Sequence, residues 1–419
     1  MSAPVYILGG YQTDFAKAWS RHGQDISDMV RETTLQTLDA CTLEPQAIES
    51  IHVGNAFGEL QRQQAHLGSM VAQVVPELWG VPAMRHEGAC ASSSLGILSA
   101  MAEIEAGRYD CVLVLGAEEF KNLPGDQASQ NQNSAAWQGH EDIDCKFMWP
   151  AVFGLLAQEY DARYGLDRKY LNRIAELNYA NARRNPKAQT RNWQFDALSF
   201  TDDDAANPVI EPGTRRQDCG QITDGACAVV LASERFAKAH QARMGKSLSD
   251  LAHIAGWGHR NASLRARDKL ERSRGQPYVF PHVRQTIEDA WRRAGVAGID
   301  AMSGIETHDC FTTTQYMAID HLGLTPAGQS WQAVEDGSIE RDGRCPVNMS
   351  GGLIGAGHPV GATGVRMLFD AARQVTGQAE DCQIEGASRI QTLNIGGSCG
   401  TVVSFVVERA TGTLACHMP

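Results

Sequence analysis

The sequence predicts an α/β fold built from a duplicated unit with mostly parallel strands. Three observations predict it. Apolar segments of helical period alternate with short continuous apolar runs that read as buried strands. The order helix, strand, reactive turn, core helix, strand occurs in the first third and again in the last third. Between the copies lies a long polar, aromatic stretch of different composition.

In the first copy, "DISDMVRETTLQTLDAC" carries apolar residues at helical spacing, with Asp25 or Ser27 as the cap. "SIHVGNAF" is a short strand ending at glycine and asparagine. "HEGACASSSLGILSAMAEIEAGRYD" is a turn entering a helix that is small or apolar almost all round, which places it in a core. "CVLVLGAEE" is a buried strand. In the second copy, "FPHVRQTIEDAWRRAGV" has proline near its start and glycine at its end. "MSGIETHDCF" takes the place of "SIHVGNAF". "SGGLIGAGHPVGATGVRMLFDAARQV" is a glycine-rich turn entering a helix, and "RIQTLNIGGSCGTVVSFVVER" gives two strands around a glycine turn. "DGACAVVLASE" closes the first half. The expected division is 1–120 with 219–245, then 246–419, with 121–218 as an inserted loop subdomain over the functional edge of the sheet.

Composition narrows the function classes. With 49 acidic against 37 basic residues, the net charge of −12 disfavours nucleic acid and anionic membrane surfaces. No run is long and apolar enough to span a bilayer, and no secretory signal is legible, so the cytoplasm is expected. The eleven cysteines include no Cys-x-x-Cys pair, which argues against structural zinc; most read as small core residues, Cys111 among them.

Cys90 is different. It lies in "GACASSSLG" directly before the core helix, where free N–H groups and positive potential would favour a thiolate. His358, in "GAGHPVGATG", could take its proton. That glycine spacing fits neither a dinucleotide fingerprint nor a P-loop. "GGSCG" matches the serine-hydrolase expression but is followed by a strand, so Ser398 is rejected as a nucleophile, and the turn is read as a source of backbone N–H groups. His308, Asp309 and Cys310 stand in a row in "GIETHDCFTTT".

Together "GACASSS", "HDCF", "GHPVGATG" and "NIGG", with "TDGACAVVLASE", resemble the thiolase superfamily, and more narrowly the sterol-carrier-protein-2-type thiolases. The resemblance spans nearly the whole chain. It implies a five-layer α-β-α-β-α sandwich and a coenzyme A thioester as substrate, with no cofactor and no metal. It makes Cys90 the acylated nucleophile and His358 its activator and an oxyanion-hole donor. The N–H groups of Cys90 and Gly396 would form a second oxyanion hole. Many thiolases carry their second catalytic cysteine where this chain has Asn394; the HDCF branch supplies it from the other motif, here Cys310, as acid and base. His308 would hold a water or donate a hydrogen bond, and Cys399 lies out of phase with the family's cysteine.

Arg183, Arg184, Lys187 and Arg191 form the densest basic cluster; they would meet the phosphates of coenzyme A, or else form a solvated helix end. Trp149, Pro150 and Phe153 would line an acyl tunnel or pack the insert. By resemblance the chain is an acyl-CoA C-acyltransferase and a homodimer or tetramer. Competing expectations are a ketosynthase-like condensing enzyme, a retro-aldol lyase working with a small OB-fold partner, and an inactive scaffold.

Overall fold

The computed structural model describes residues 3–411. Strand β1 (Val5–Gln12) leads to helix α1 (Ile26–Ala40), capped by Asp25, whose carboxylate accepts from Ser27 N–H at 2.8 Å. β2 (Ser50–Gly54), α2 (Gly58–Arg62), α3 (Leu67–Val74) and β3 (Ala83–His86) follow. A tight 3-10 turn, Ala89–Ala91, then enters α4 (Ser92–Glu105), and β4 (Cys111–Glu118) completes this part.

The polar stretch contains α5 (Gly125–Gln132), α6 (Met148–Tyr164), α7 (Arg168–Ala182) and the hairpin β5 (Val209–Glu211) and β6 (Thr214–Arg215). Much of its apolar surface packs on the last third of the chain. Phe153, Leu156, Tyr160, Leu171 and Ile174 join the same buried cluster as Val283, Ile287 and Tyr316 from the last third.

β7 (Gly225–Ser233), α8 (Glu234–Arg243), β8 (Ala252–Asn261), α9 (Ala266–Arg272) and α10 (Pro281–Ala294) come next. Then follow β9 (Gly304–Thr307), α11 (Thr312–His321), α12 (Trp331–Glu335), α13 (Gly352–Ala356), α14 (Thr363–Thr376), β10 (Arg389–Gly396) and β11 (Thr401–Arg409). No helix among the described residues is long and apolar enough to cross a membrane.

The large sheet has the order β3-β2-β4-β7-β1-β8-β11-β10-β9. Its two halves meet at a short ladder of Val5, Tyr6 and Ile7 against Ile254, His253 and Ala252. α4 and α14 lie together between the halves, where Ile97, Met101, Val365 and Leu368 pack on Val114 and Val229 from one side and Val403 and Phe405 from the other. α1 and α3 cover one outer face, and α10 with α11 covers the other. This is the five-layer arrangement. β4 is buried on both faces, which explains its unbroken apolar run.

The expectation of mostly parallel strands is corrected. β2 pairs in parallel with β3 and β4, and β9 with β10; the other five neighbouring pairs of the large sheet are antiparallel. The tight Gly397–Gly400 turn allows β10 and β11 only an antiparallel pairing, because a parallel one needs a crossover. In the second copy the strand of "MSGIETHDCF" stops at Thr307, so the reactive triplet lies beyond the strand end.

One charge is wholly buried in the middle layer. Arg366 on α14 donates from the same guanidinium nitrogen to Glu306 Oε2 at 3.0 Å, Asp370 Oδ2 at 2.8 Å and Ser350 Oγ at 2.8 Å. Burial, followed by the charge of Asp370, pushes Glu306 up to about 7, while the guanidinium pulls it back. Replacing Arg366 with methionine strands two carboxyls and is expected to cost about 3–5 kcal/mol. A denaturant-unfolding shift below about 1 kcal/mol would contradict this role.

Candidate active site

Cys90 is placed by β3, whose chain turns sharply before α4. Ala89 takes a left-handed φ of 51° in that turn, a strained conformation for a residue with a side chain. The backbone N–H of Gly397 works to lower the pKa of the half-buried Cys90 thiol. Burial nevertheless pushes the thiol up to about 12, and the Glu118 carboxylate adds to the rise. The expected resting thiolate is therefore corrected: desolvation outweighs what the helix start and one N–H group can offer.

His358 sits between α13 and α14. Its backbone N–H donates to Thr223 Oγ1 at 2.9 Å, and its Nδ1 lies 2.7 Å from Thr363 Oγ1. The Thr363 hydroxyl also reaches Pro359 O, at 3.4 Å; in the tautomer where it donates there, Oγ1 accepts from Nδ1–H and Nε2 keeps a lone pair. Burial, aided by the charge of Arg366, holds this imidazole down to about 3. It is a neutral base throughout the working pH range.

His308, just past β9, has the opposite polarity. Ser94 Oγ donates to Asn394 Oδ1 at 2.7 Å, which turns the amide so that Nδ2 donates to His308 Nδ1 at 3.1 Å. The remaining proton is therefore on Nε2, and that buried atom has no partner among the described residues. Burial, then His358 and Arg366, keep His308 well below its ordinary pKa. The two rings meet edge to face, 5.3 Å between centroids. The Cys90 sulphur and one nitrogen of each ring all lie within 4.8 Å of one another. Three such atoms could grip a soft metal ion, but with its proton on Nε2, His308 offers a donor there and not a ligand lone pair.

Cys310 precedes α11 and lines the same pocket as Cys90 and His358. Burial holds its thiol well above the usual range, followed by the neighbouring Cys90 and Asp309. Asp309 has another task. It accepts from Leu353 N at 2.6 Å, Ile354 N at 3.2 Å and Asn178 Nδ2 at 2.8 Å, fastening the start of α13 and hence the chain leading to His358.

The glycine turn after β10 completes the site. A side chain at Gly396 would overlap Gly88 O, so only glycine lets the nucleophile turn rest on it. The Gly397 N–H acts on the Cys90 thiol itself, a different task from the oxyanion contact expected of Gly396. Ser398 accepts from Lys269 Nζ at 2.9 Å and donates to Leu264 O, and the Cys399 carbonyl lies 2.9 Å from His282 Nε2. Both are structural members of the turn. Glu118 was also missed. It accepts from the N–H groups of Ala56, Phe57 and Gly361, tying the turn after β2 to the His358 loop. A glutamate at the end of a wholly apolar strand was the available signal.

The four residues of the expected phosphate-binding cluster lie apart from the Cys90 pocket. Arg191 is clamped by both carboxylate oxygens of Asp14 at 2.7 and 2.8 Å. Lys187 lies over the Tyr11 ring and lines a different cavity, and Arg183 and Arg184 are exposed at the end of α7. None of the four lines the Cys90 pocket. The reason is the path of this segment, which binds through its backbone to Phe15 and to Ala356. Trp149 and Phe153 do line the pocket, which encloses about 70 Å³.

A thiol at rest predicts a pH profile. Alkylation of Cys90 by iodoacetamide is expected to accelerate about tenfold per pH unit up to pH 9 or so, because only the thiolate reacts. A plateau already reached near neutrality would contradict the arrangement.

Residues 5–195 match the family described as Thiolase, N-terminal domain, and residues 265–409 match Thiolase C-terminal domain-like. The chain is 30% identical to the acetyl-CoA acetyltransferase of Methanocaldococcus jannaschii, over 96% of this chain and 98% of that protein. It is 29% identical to the acetyl-CoA acetyltransferase of Methanothermobacter thermautotrophicus, over 97% and 99%. Homo sapiens sterol carrier protein 2 is 27% identical over 96% of this chain and 71% of its own length. Among solved structures, the fold is shared with the Ltp2–ChsH2(DUF35) aldolase, at a TM-score of 0.76 and 18% identity over 97% of this chain and 98% of that one. It is also shared with the Acat5 thiolase of Ascaris suum in complex with coenzyme A, at 0.68 and 17% over 97% and 100%.

Proposed function

We propose that this chain, which belongs to the thiolase family and is an acyltransferase, cleaves 3-ketoacyl-CoA with coenzyme A, or runs the reverse condensation, through an acyl group on Cys90. The observation that carries the reading is the meeting of Cys90 with two neutral imidazoles of opposite polarity, within 4.8 Å, beside a second buried thiol.

In cleavage, the Cys90 sulphur attacks the C3 ketone while its proton passes to His358 Nε2. The transfer accompanies the attack, because a thiol pushed up to about 12 and an imidazole held down to about 3 do not form an ion pair beforehand. The N–H groups of the glycine turn and of Cys90 receive the oxyanion at C3. As the intermediate collapses, the C2–C3 bond breaks and C2 takes a proton from Cys310. The thioester oxygen of that leaving enolate takes its hydrogen bond from His308 Nε2–H. Acetyl-CoA leaves; a coenzyme A thiol then gives its proton to Cys310 and attacks the acyl carbon, and the Cys90 sulphur departs and regains its proton from His358. Kinetics are ping-pong.

The fold likeness to an aldolase raises retro-aldol cleavage as the competing reaction. Cys90 beside a free imidazole lone pair favours acyl transfer, since a lyase needs no acylated nucleophile. By the same resemblance we propose a homodimer, with a tetramer or a small OB-fold partner as further assemblies, and coenzyme A thioesters as the ligands.

Thiolysis of acetoacetyl-CoA tests the reading. Cys90→Ala is expected to lower kcat on the order of 10⁴-fold or more. Full activity in that variant, or none in the wild type with any 3-ketoacyl-CoA, would overturn it. Deuterium exchange at C2 of acetyl-CoA separates the second thiol: Cys310→Ala should lose exchange yet still accept an acetyl group on Cys90. Asn394→Leu removes the donor that fixes the His308 proton, and should lower kcat by about 10²-fold with KM little changed. A kcat within twofold of wild type would contradict that role.

A further inference from the structure

We infer that Phe153 sets the length of the acyl group, and that the enzyme as built takes an acyl group of about two carbons on Cys90. The inference rests on the acyl-transfer reading above and adds to it the substrate class. The pocket holding Cys90 encloses about 70 Å³. An apolar cavity of about 150 Å³ takes up a benzene ring, so about 70 Å³ is room for a group of only a few heavy atoms. A methyl group with its carbonyl fits; an octanoyl chain, with six more methylenes, does not.

The wall that ends the pocket is specific. α6 presents Trp149, Phe153 and Leu156 along one face, at spacings of four and three residues. Trp149 is fixed by its Nε1 donating to Gln132 O at 3.0 Å. The Phe153 ring stacks on Phe311, 4.6 Å between centroids and 26° between planes, and Phe311 follows Cys310 in the chain. On its far side Phe153 lines a second void of about 10 Å³, bounded by Val152, Leu156, Leu270 and Phe280. Phe153 is the residue common to both cavities. It is therefore a partition between the nucleophile and a small, mostly apolar void beside α6. Taking the ring away joins the two and gives a longer chain an apolar path.

The test is kcat/KM for thiolysis of acetoacetyl-CoA and of 3-ketodecanoyl-CoA, which leave acetyl and octanoyl groups on the enzyme. The wild type is expected to favour the shorter substrate by tenfold or more. Phe153→Ala should move the ratio at least tenfold toward the longer one. Phe153→Leu, which disturbs packing less, should move it the same way by a smaller factor with 3-ketohexanoyl-CoA, and it decides the matter if the alanine variant does not fold. A wild type that already prefers the ten-carbon substrate overturns this inference and leaves the thiolase reading standing, as do folded variants with unchanged ratios. A wild type that cleaves neither substrate overturns both.

Discussion

The site depends on how closely two helices approach in the middle layer. α4 begins just after Cys90 and α14 just after His358, so the reactive turns can meet only if the first turns of these helices touch. They touch at Gly364, where an added methyl group would overlap Ser94 Oγ and stand 2.7 Å from its backbone nitrogen. The same contact positions the Ser94 hydroxyl to hold Asn394, and through it the proton on His308. A packing requirement thus fixes a hydrogen-bond polarity two residues away. The close-packed interior transmits the constraint because neighbouring atoms have no room to yield.

Burial supplies the second constraint. Two thiols are held protonated and two imidazoles neutral, all chiefly by removal from water. The buried Arg366 adds to the depression of both imidazoles, although its own charge is balanced by Glu306 and Asp370. The resting site carries no charge on its reacting atoms. Charge appears only as bonds form, next to N–H groups already in place, so little reorganisation is needed when the oxyanion develops.

Much of this was legible in the sequence because it depends on local pattern. The proline at the start of α10 and the glycine after it, the double-sided burial of β4 and the small-residue face of α4 all follow from neighbours in the chain. The motif residues Cys90, Cys310, His308, His358 and Asn394 do converge. What stayed hidden depends on contacts distant in sequence. Strand direction around β7 and β1 is decided by which strands become neighbours, and no periodicity encodes that. The basic cluster looked dense as a string, yet Asp14, far along the chain, takes the charge of Arg191. Asp309 stands between His308 and Cys310 in the motif, yet its carboxylate is the clasp on α13. The Cys90 thiol was misread because a helix start is visible in sequence and desolvation is not.

The most direct test of the account is the intact mass of the protein after brief exposure to acetyl-CoA, with Cys90→Ala alongside. The account predicts one added acetyl group on the wild type, removed by free coenzyme A and missing from the variant. An unmodified wild type with acetyl-CoA and with every longer acyl-CoA tried, or a variant that is acetylated as readily as the wild type, would contradict it.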